Sequence, residues 1–195
     1  MEKELHHRPI IRSKFFPKPL PPLQPGPVYD DIGFTLSERL ALKQAWFLLK
    51  PYERRHGTNV FYTFLVEHYR AINRFRTPNM GINLHGLHTH AVLIMRFFGA
   101  LIEGLNEDTG LFHMLMTDHN TLHKRCGVAS NDVYLLGVAL KEHILKILRN
   151  VSSVTLERGL QKIIDKFRVY HMQLKPKGKT RLKLSHGVSA ISLKN

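Results

Sequence analysis

The chain of 195 residues has room for one domain of about 150 residues with extensions, and its length argues against two full domains. With 43% apolar and 23% charged residues, it has the composition of a packed globular protein rather than a disordered or membrane-embedded one. Its 29 Lys and Arg against 15 Asp and Glu give a formal charge of +14, which attracts polyanions and acidic surfaces without naming one.

Residues 1–34 hold seven of the ten prolines, and the run Pro17-Lys18-Pro19-Leu20-Pro21-Pro22 favours polyproline II, so this segment is expected as a flexible extension outside the core. The run continues to Leu23-Gln24, which puts Gln24 where an SH3-type ligand wants proline, and a linker is the expected role. No apolar run of signal length occurs in these residues, which points to a non-secreted, cytoplasmic protein. Neither N-myristoylation nor prenylation is signalled. The single cysteine, Cys126, excludes an intramolecular disulfide and a cysteine-based zinc site and fits a reducing compartment.

Residues 35–175 show apolar residues at spacings of three and four and are predicted all-helical. Thr35-Leu36-Ser37-Glu38 forms a capping box that opens a first helix running to about Lys50, before Pro51. A second helix is expected over roughly 52–68, with Gly57 in its interior marking a close approach by another backbone. A corner follows at 76–81, and then a long helix over about 83–104. Leu87, Ala91, Ile94, Phe98, Leu101 and Leu105 form its buried face, with His90 on that face and His88 rotated off it. Within it, Ala91 to Ile102 is about half a bilayer span and carries Arg96, so it reads as a buried helix and not a transmembrane segment. Asn106-Glu107-Asp108-Thr109-Gly110 is expected as a break, followed by a shorter helix ending near Cys126-Gly127. Helices over about 131–150 and 154–175, with Asn131 and Ser153 as N-caps, complete the set. Residues 176–195 carry five Lys and Arg and no acid, and are expected as a flexible basic tail. Such a tail offers weak contact with anionic surfaces and no specific nucleic-acid recognition.

Thirteen histidines are the unusual count. A histidine turned toward a core either satisfies its ring nitrogens with hydrogen bonds or ligates a metal. Two stand out: His90 on the long helix, and His123 near the end of the next one, followed by Lys124-Arg125-Cys126-Gly127-Val128. His119 lies one turn before His123 and competes with it.

Over 35–175 the chain resembles the globin family. Trp46 lies in the first helix, Gly57 in the second and Phe75 at the corner before the long helix; Leu87-His88-Thr89-His90-Ala91 and Phe98-Gly99-Ala100-Leu101 follow, and then His123 with Gly127-Val128. The resemblance implies an all-α globin fold, a three-over-three helical sandwich of about seven to eight helices. It implies a b-type haem, with His123 as proximal iron ligand and His90 as the distal residue, which is also a candidate iron ligand. By the same resemblance Phe75 would pack against the macrocycle, Phe61 would line the distal side, and Ile94, Phe98, Val128 and Val133 would line the pocket; Arg76 and Arg125 are candidate propionate donors, with a solvated surface charge the expected role of each. Two positions depart from the family pattern: Tyr69 stands where proline is common, and Gly159 where an aromatic is frequent. The spacing of His90 and His123 is closer to the neuroglobin-like members.

The function implied is reversible binding of dioxygen, carbon monoxide or nitric oxide. The alternatives are a haem enzyme, such as a nitric oxide dioxygenase, nitrite reductase or peroxidase-like protein, and a redox or oxygen sensor acting through the tails. An enzyme would need a separate reductase partner, because no flavin or nicotinamide domain fits in the remaining residues.

Overall fold

The computed structural model describes Gly26 and residues 28–173, with side-chain surroundings described as far as Tyr170. The described residues are helical, with two isolated β-bridges and no longer strand among them. The six α-helices are α1 (Leu36–Leu49), α2 (Glu53–Glu67), α3 (Leu84–Glu107), α4 (Thr109–Arg125), α5 (Ser130–Ile147) and α6 (Val154–Gln173). Short 3-10 segments, Lys50–Tyr52 and Tyr69–Phe75, lie on either side of α2. Tyr69 opens the second of them. None of these helices is long and apolar enough to cross a membrane.

The capping box at the start of α1 is formed. The Thr35 hydroxyl accepts from the Glu38 amide at 3.2 Å, and Glu38 Oε2 accepts from the Thr35 amide at 2.9 Å. The same carboxylate is only 2% exposed and takes a hydrogen bond from Lys162 Nζ of α6 at 2.7 Å. Lys162 also donates to the Gly33 carbonyl at 2.8 Å and sits 4.7 Å above the Tyr29 ring. The packed part therefore begins before residue 35, earlier than the expected end of the extension. Ile32 and Phe34 are buried, and Asp30 Oδ1 accepts from both their amides, at 3.1 and 2.7 Å. The rest of the expected extension and the basic tail lie outside the described residues.

The break expected at 106–110 shrinks to one residue. Asp108 has extended backbone angles, ends α3 and caps α4, with its carboxylate accepting from the Gly110 amide at 2.8 Å. At the far end of α4, Gly127 takes φ +67, the left-handed conformation expected there. The Arg74 guanidinium closes this end by donating to the carbonyls of Cys126 and Gly127. The N-cap of α5 is Ala129, not Asn131, which lies inside the first turn. Ser153 caps α6, its hydroxyl accepting from the Leu156 amide at 3.2 Å.

Helix α3 packs against α1, α2 and α4; α6 packs against α1, α4 and α5; and α2 packs against α5. Gly57 is where α2 crosses α3, because a Cβ there would overlap the carbonyl oxygen of Ala91. Gly99 makes the equivalent space for the Trp46 ring. The main core gathers Trp46, Phe98, Leu101, Phe112, Ile144 and Leu160, among others. A second cluster between α2 and α3 holds Phe61, Phe64, Leu65, Leu87 and Ala91, and Ile94 packs against both.

Candidate functional site

Helices α3 and α4 run back from Asp108 as neighbours, so residues near the start of one face residues near the end of the other. His90 and His123 meet in this way, with ring centres 6.0 Å apart and planes inclined at 59°. Phe61 of α2 lies 5.1 Å from the His90 ring and Phe75 lies 5.4 Å from it, the two phenylalanines being 5.5 Å apart. Apolar surroundings disfavour a charged ring, and burial, with a smaller contribution from His123, lowers the pKa of His90.

His123 Nδ1 donates to the carbonyl oxygen of His119 at 2.8 Å, the direction following from a carbonyl's having no hydrogen to give. With that nitrogen protonated, the lone pair of the neutral ring is on Nε2. This bond fixes tautomer and orientation together, as is usual for an imidazole prepared to ligate a metal.

The His119 ring packs 4.0 Å from His123, stacks on Phe97 at 4.5 Å and 17°, and lies 5.2 Å from Phe167 of α6. Its Nδ1 is buried without a hydrogen-bond partner. Burial, followed by the charges of His123 and His90, pushes its pKa down to about 3, against a smaller opposing effect of the Asn120 side chain. The ring is therefore neutral across the physiological range.

Phe61, Phe75, His90 and His123 are thus brought together, and Ile94 packs against the cluster that contains Phe61. Phe98 is elsewhere: it is part of the main core, 6.2 Å from Trp46 and edge-on to it. Val128 is tied to the site through its backbone, its amide donating to the His123 carbonyl at 2.9 Å. Val133 is half-buried in the first turn of α5. Arg76 is engaged in its own corner, with Asn73 and the Met80 carbonyl, and Arg125 is exposed.

His88 faces a different region. It lines two adjoining clefts of about 400 Å³ each, one with Arg54, His85 and Arg96 and the other with Tyr52, Arg54 and Arg55, and neither is lined by His90 or His123.

Phe97 and Arg74 are site neighbours that the sequence reading missed. His90, Ile94 and Phe97 follow the i, i+4, i+7 spacing of one helix face, and that signal identifies Phe97. Arg74 has no comparable signal, because its partners lie on the far side of α3 in the chain.

Among the described residues, no group of three or more His, Cys, Asp or Glu side chains is arranged to hold a metal ion. The site offers a facing pair of imidazoles in an aromatic setting. A scan against models of known protein families finds no match, and neither does a search of curated proteins.

Proposed function

We propose that this chain is a globin that binds a b-type haem between His123 and His90 and takes up small diatomic ligands there. The carrying observation is the separation of the two rings. Two imidazoles sharing one metal atom, each through a bond of about 2.0 Å, have ring centres roughly 6 Å apart. The 6.0 Å between His90 and His123 matches that spacing, and it favours iron ligated by both histidines over iron ligated by His123 alone.

Three further features support the reading. The pairing of α1 with α3 and α3 with α4, and of α2 with α5 and α5 with α6, suits a three-over-three arrangement. The α2–α3 crossing at Gly57 and Ala91 allows the close helix approach that brings Phe61 beside His90. The bond from His123 Nδ1 to the His119 carbonyl prepares His123 as the better-oriented ligand.

Bound here, a haem would supply an iron centre for dioxygen, carbon monoxide or nitric oxide. His123 would hold the iron through Nε2, its tautomer and orientation fixed by the His119 carbonyl. His90 would offer either a second ligating nitrogen or an N–H to a bound ligand. Phe61, Phe75 and Ile94 exclude water from that side, which strengthens any hydrogen bond His90 makes.

The test is the ultraviolet-visible spectrum of the haem-reconstituted full chain, in ferric, ferrous and ferrous carbon monoxide forms. Uptake of one haem per chain and a sharp two-banded ferrous spectrum before ligand is the expected result. Failure to retain haem stoichiometrically overturns the proposal, and a broad five-coordinate ferrous spectrum removes His90 as a ligand.

A further inference from the structure

A second pair of histidines lies between α2 and α5. His56 Nδ1 and His143 Nε2 are 3.2 Å apart, with ring centres at 5.4 Å and planes inclined at 67°. We propose that this pair is a binding site for one divalent transition-metal ion of the imidazole-seeking class, such as zinc, copper or nickel.

The argument begins with distance. Two nitrogens bonded to one such ion at about 2.0–2.1 Å, with a near-tetrahedral angle between the bonds, lie roughly 3.3 Å from each other. Hydrogen bonds from nitrogen span about 2.7–3.2 Å, so the 3.2 Å contact is a hydrogen bond at the long end of that range and is also close to the metal spacing. The two nitrogens thus need little movement to share an ion. The donors come from separate helices, 87 residues apart in sequence, so the pair exists only when α2 and α5 are packed. Tyr52 packs edge-on to His56, ring centres 6.3 Å apart. Both rings are half-buried, which leaves an open side from which water completes the coordination shell.

The surroundings select the kind of ion. Arg55 and Lys146 bring positive charge near the pair. A hard cation such as calcium or magnesium wants oxygen ligands and would gain little from two imidazoles beside two cationic side chains. Zinc, copper and nickel form strong bonds to neutral imidazole nitrogen and tolerate a site without carboxylate. The rings are available in the required form, since burial first, and then the neighbouring charges, lower the pKa of both. An ion bound here would staple α2 to α5, with no need for a third protein ligand. The inference does not depend on the haem reading.

The experiment titrates Zn²⁺ into the full chain by calorimetry and repeats it with His56→Gln and His143→Gln. The chain holds 13 histidines, so the readout is the difference between proteins rather than binding as such. Each variant is expected to lose one saturable equivalent, or to bind it at least about tenfold more weakly, while His85→Gln in the neighbouring cleft retains it. A second measurement needs no variant: Zn²⁺ should slow carbethoxylation of His56 and His143, mapped by mass spectrometry, by about tenfold and leave His85 unaffected. Unchanged stoichiometry and affinity in His143→Gln, or unchanged modification rates at both histidines, overturns the proposal.

Discussion

Lys162 Nζ lies 2.7 Å from Glu38 Oε2, and this contact joins the last helix to the first across 124 residues of sequence. Glu38 is 2% exposed and also holds the Thr35 amide, so the carboxylate that caps α1 is the one that receives α6. Removing the lysine leaves a buried carboxylate with its cap but without its main counter-charge. Lys162→Met is expected to lower unfolding free energy by about 2 kcal/mol, below the range for a fully buried pair because the lysine is partly exposed. Denaturant unfolding of the two proteins measures it, and a difference within error would remove the contact from the stability argument.

The same carboxylate gives a pH dependence of known sign. Burial pushes the Glu38 pKa up, but the hydrogen bonds from Lys162 and the Thr35 amide, with the lysine's charge, bring it below the usual value of 4.5. Its contribution is therefore complete above that value and is lost as pH falls through the lower folded-state pKa. Unfolding midpoints measured on acidification should decline less steeply for Lys162→Met than for the unmodified chain.

At the α2–α3 crossing, Gly57→Ala places a methyl group against the Ala91 carbonyl, which is backbone and cannot rotate away. The gain in helix propensity, about 1 kcal/mol, is outweighed by overpacking of about 1–3 kcal/mol. A net loss of up to about 2 kcal/mol is expected in chemical denaturation. Ala91→Gly should not rescue it, since the obstacle is the carbonyl; full rescue would place the obstacle in the Ala91 side chain instead.

The two site histidines should respond unequally under the proposed function. His90→Leu is expected to convert a six-coordinate ferrous spectrum to a five-coordinate one and to speed carbon monoxide binding by at least about tenfold, with haem retained. His123→Leu is expected to weaken haem retention itself, measured by transfer to a competing apoprotein. Equal haem loss in both variants would contradict the assignment of His123 as the better-prepared ligand.

His56 and His143 predict a separate loss in mild acid. Burial lowers both pKa values below the usual 6.5, with Arg55 beside one ring and Lys146 beside the other, so the unfolded chain takes up protons more readily. Stability from these groups is complete above about pH 6.5 and falls as pH drops through that value toward the lowered pKa values. Thermal unfolding of the haem-free chain should show this decline, and it should be smaller in a His56→Gln, His143→Gln double variant.

Local signals were the legible ones. The Thr35 capping box, the close approach at Gly57 and the left-handed Gly127 each depend on a few adjacent residues and could be read directly. Helix rotation alone placed His90 on the buried face of α3 and His88 off it, whereas the meeting of that face with His123 was implied only by the family resemblance. Side-chain choices between neighbouring faces were harder to read. Phe97 and Phe98 differ by one helical step, and the packing of Phe98 edge-on to Trp46 is what sets it in the main core. Partners set by distant packing, such as Lys162 for Glu38 and Arg74 for the end of α4, have no local sequence signal.

The single-residue joint at Asp108 lays α3 and α4 side by side like the arms of a pair of callipers. The imidazoles of His90 and His123 ride near the tips, about 25 Å from the joint at 1.5 Å of rise per residue. One degree of opening at Asp108 displaces a tip by roughly 0.4 Å, an appreciable fraction of a metal–nitrogen bond. The joint is itself anchored, by the Thr109 hydroxyl on Asp31 at 3.1 Å and by Arg39 on the Asn106 carbonyl at 3.4 Å. Asp31 and Arg39 therefore hold the joined ends of α3 and α4, at the end of the pair away from the two rings.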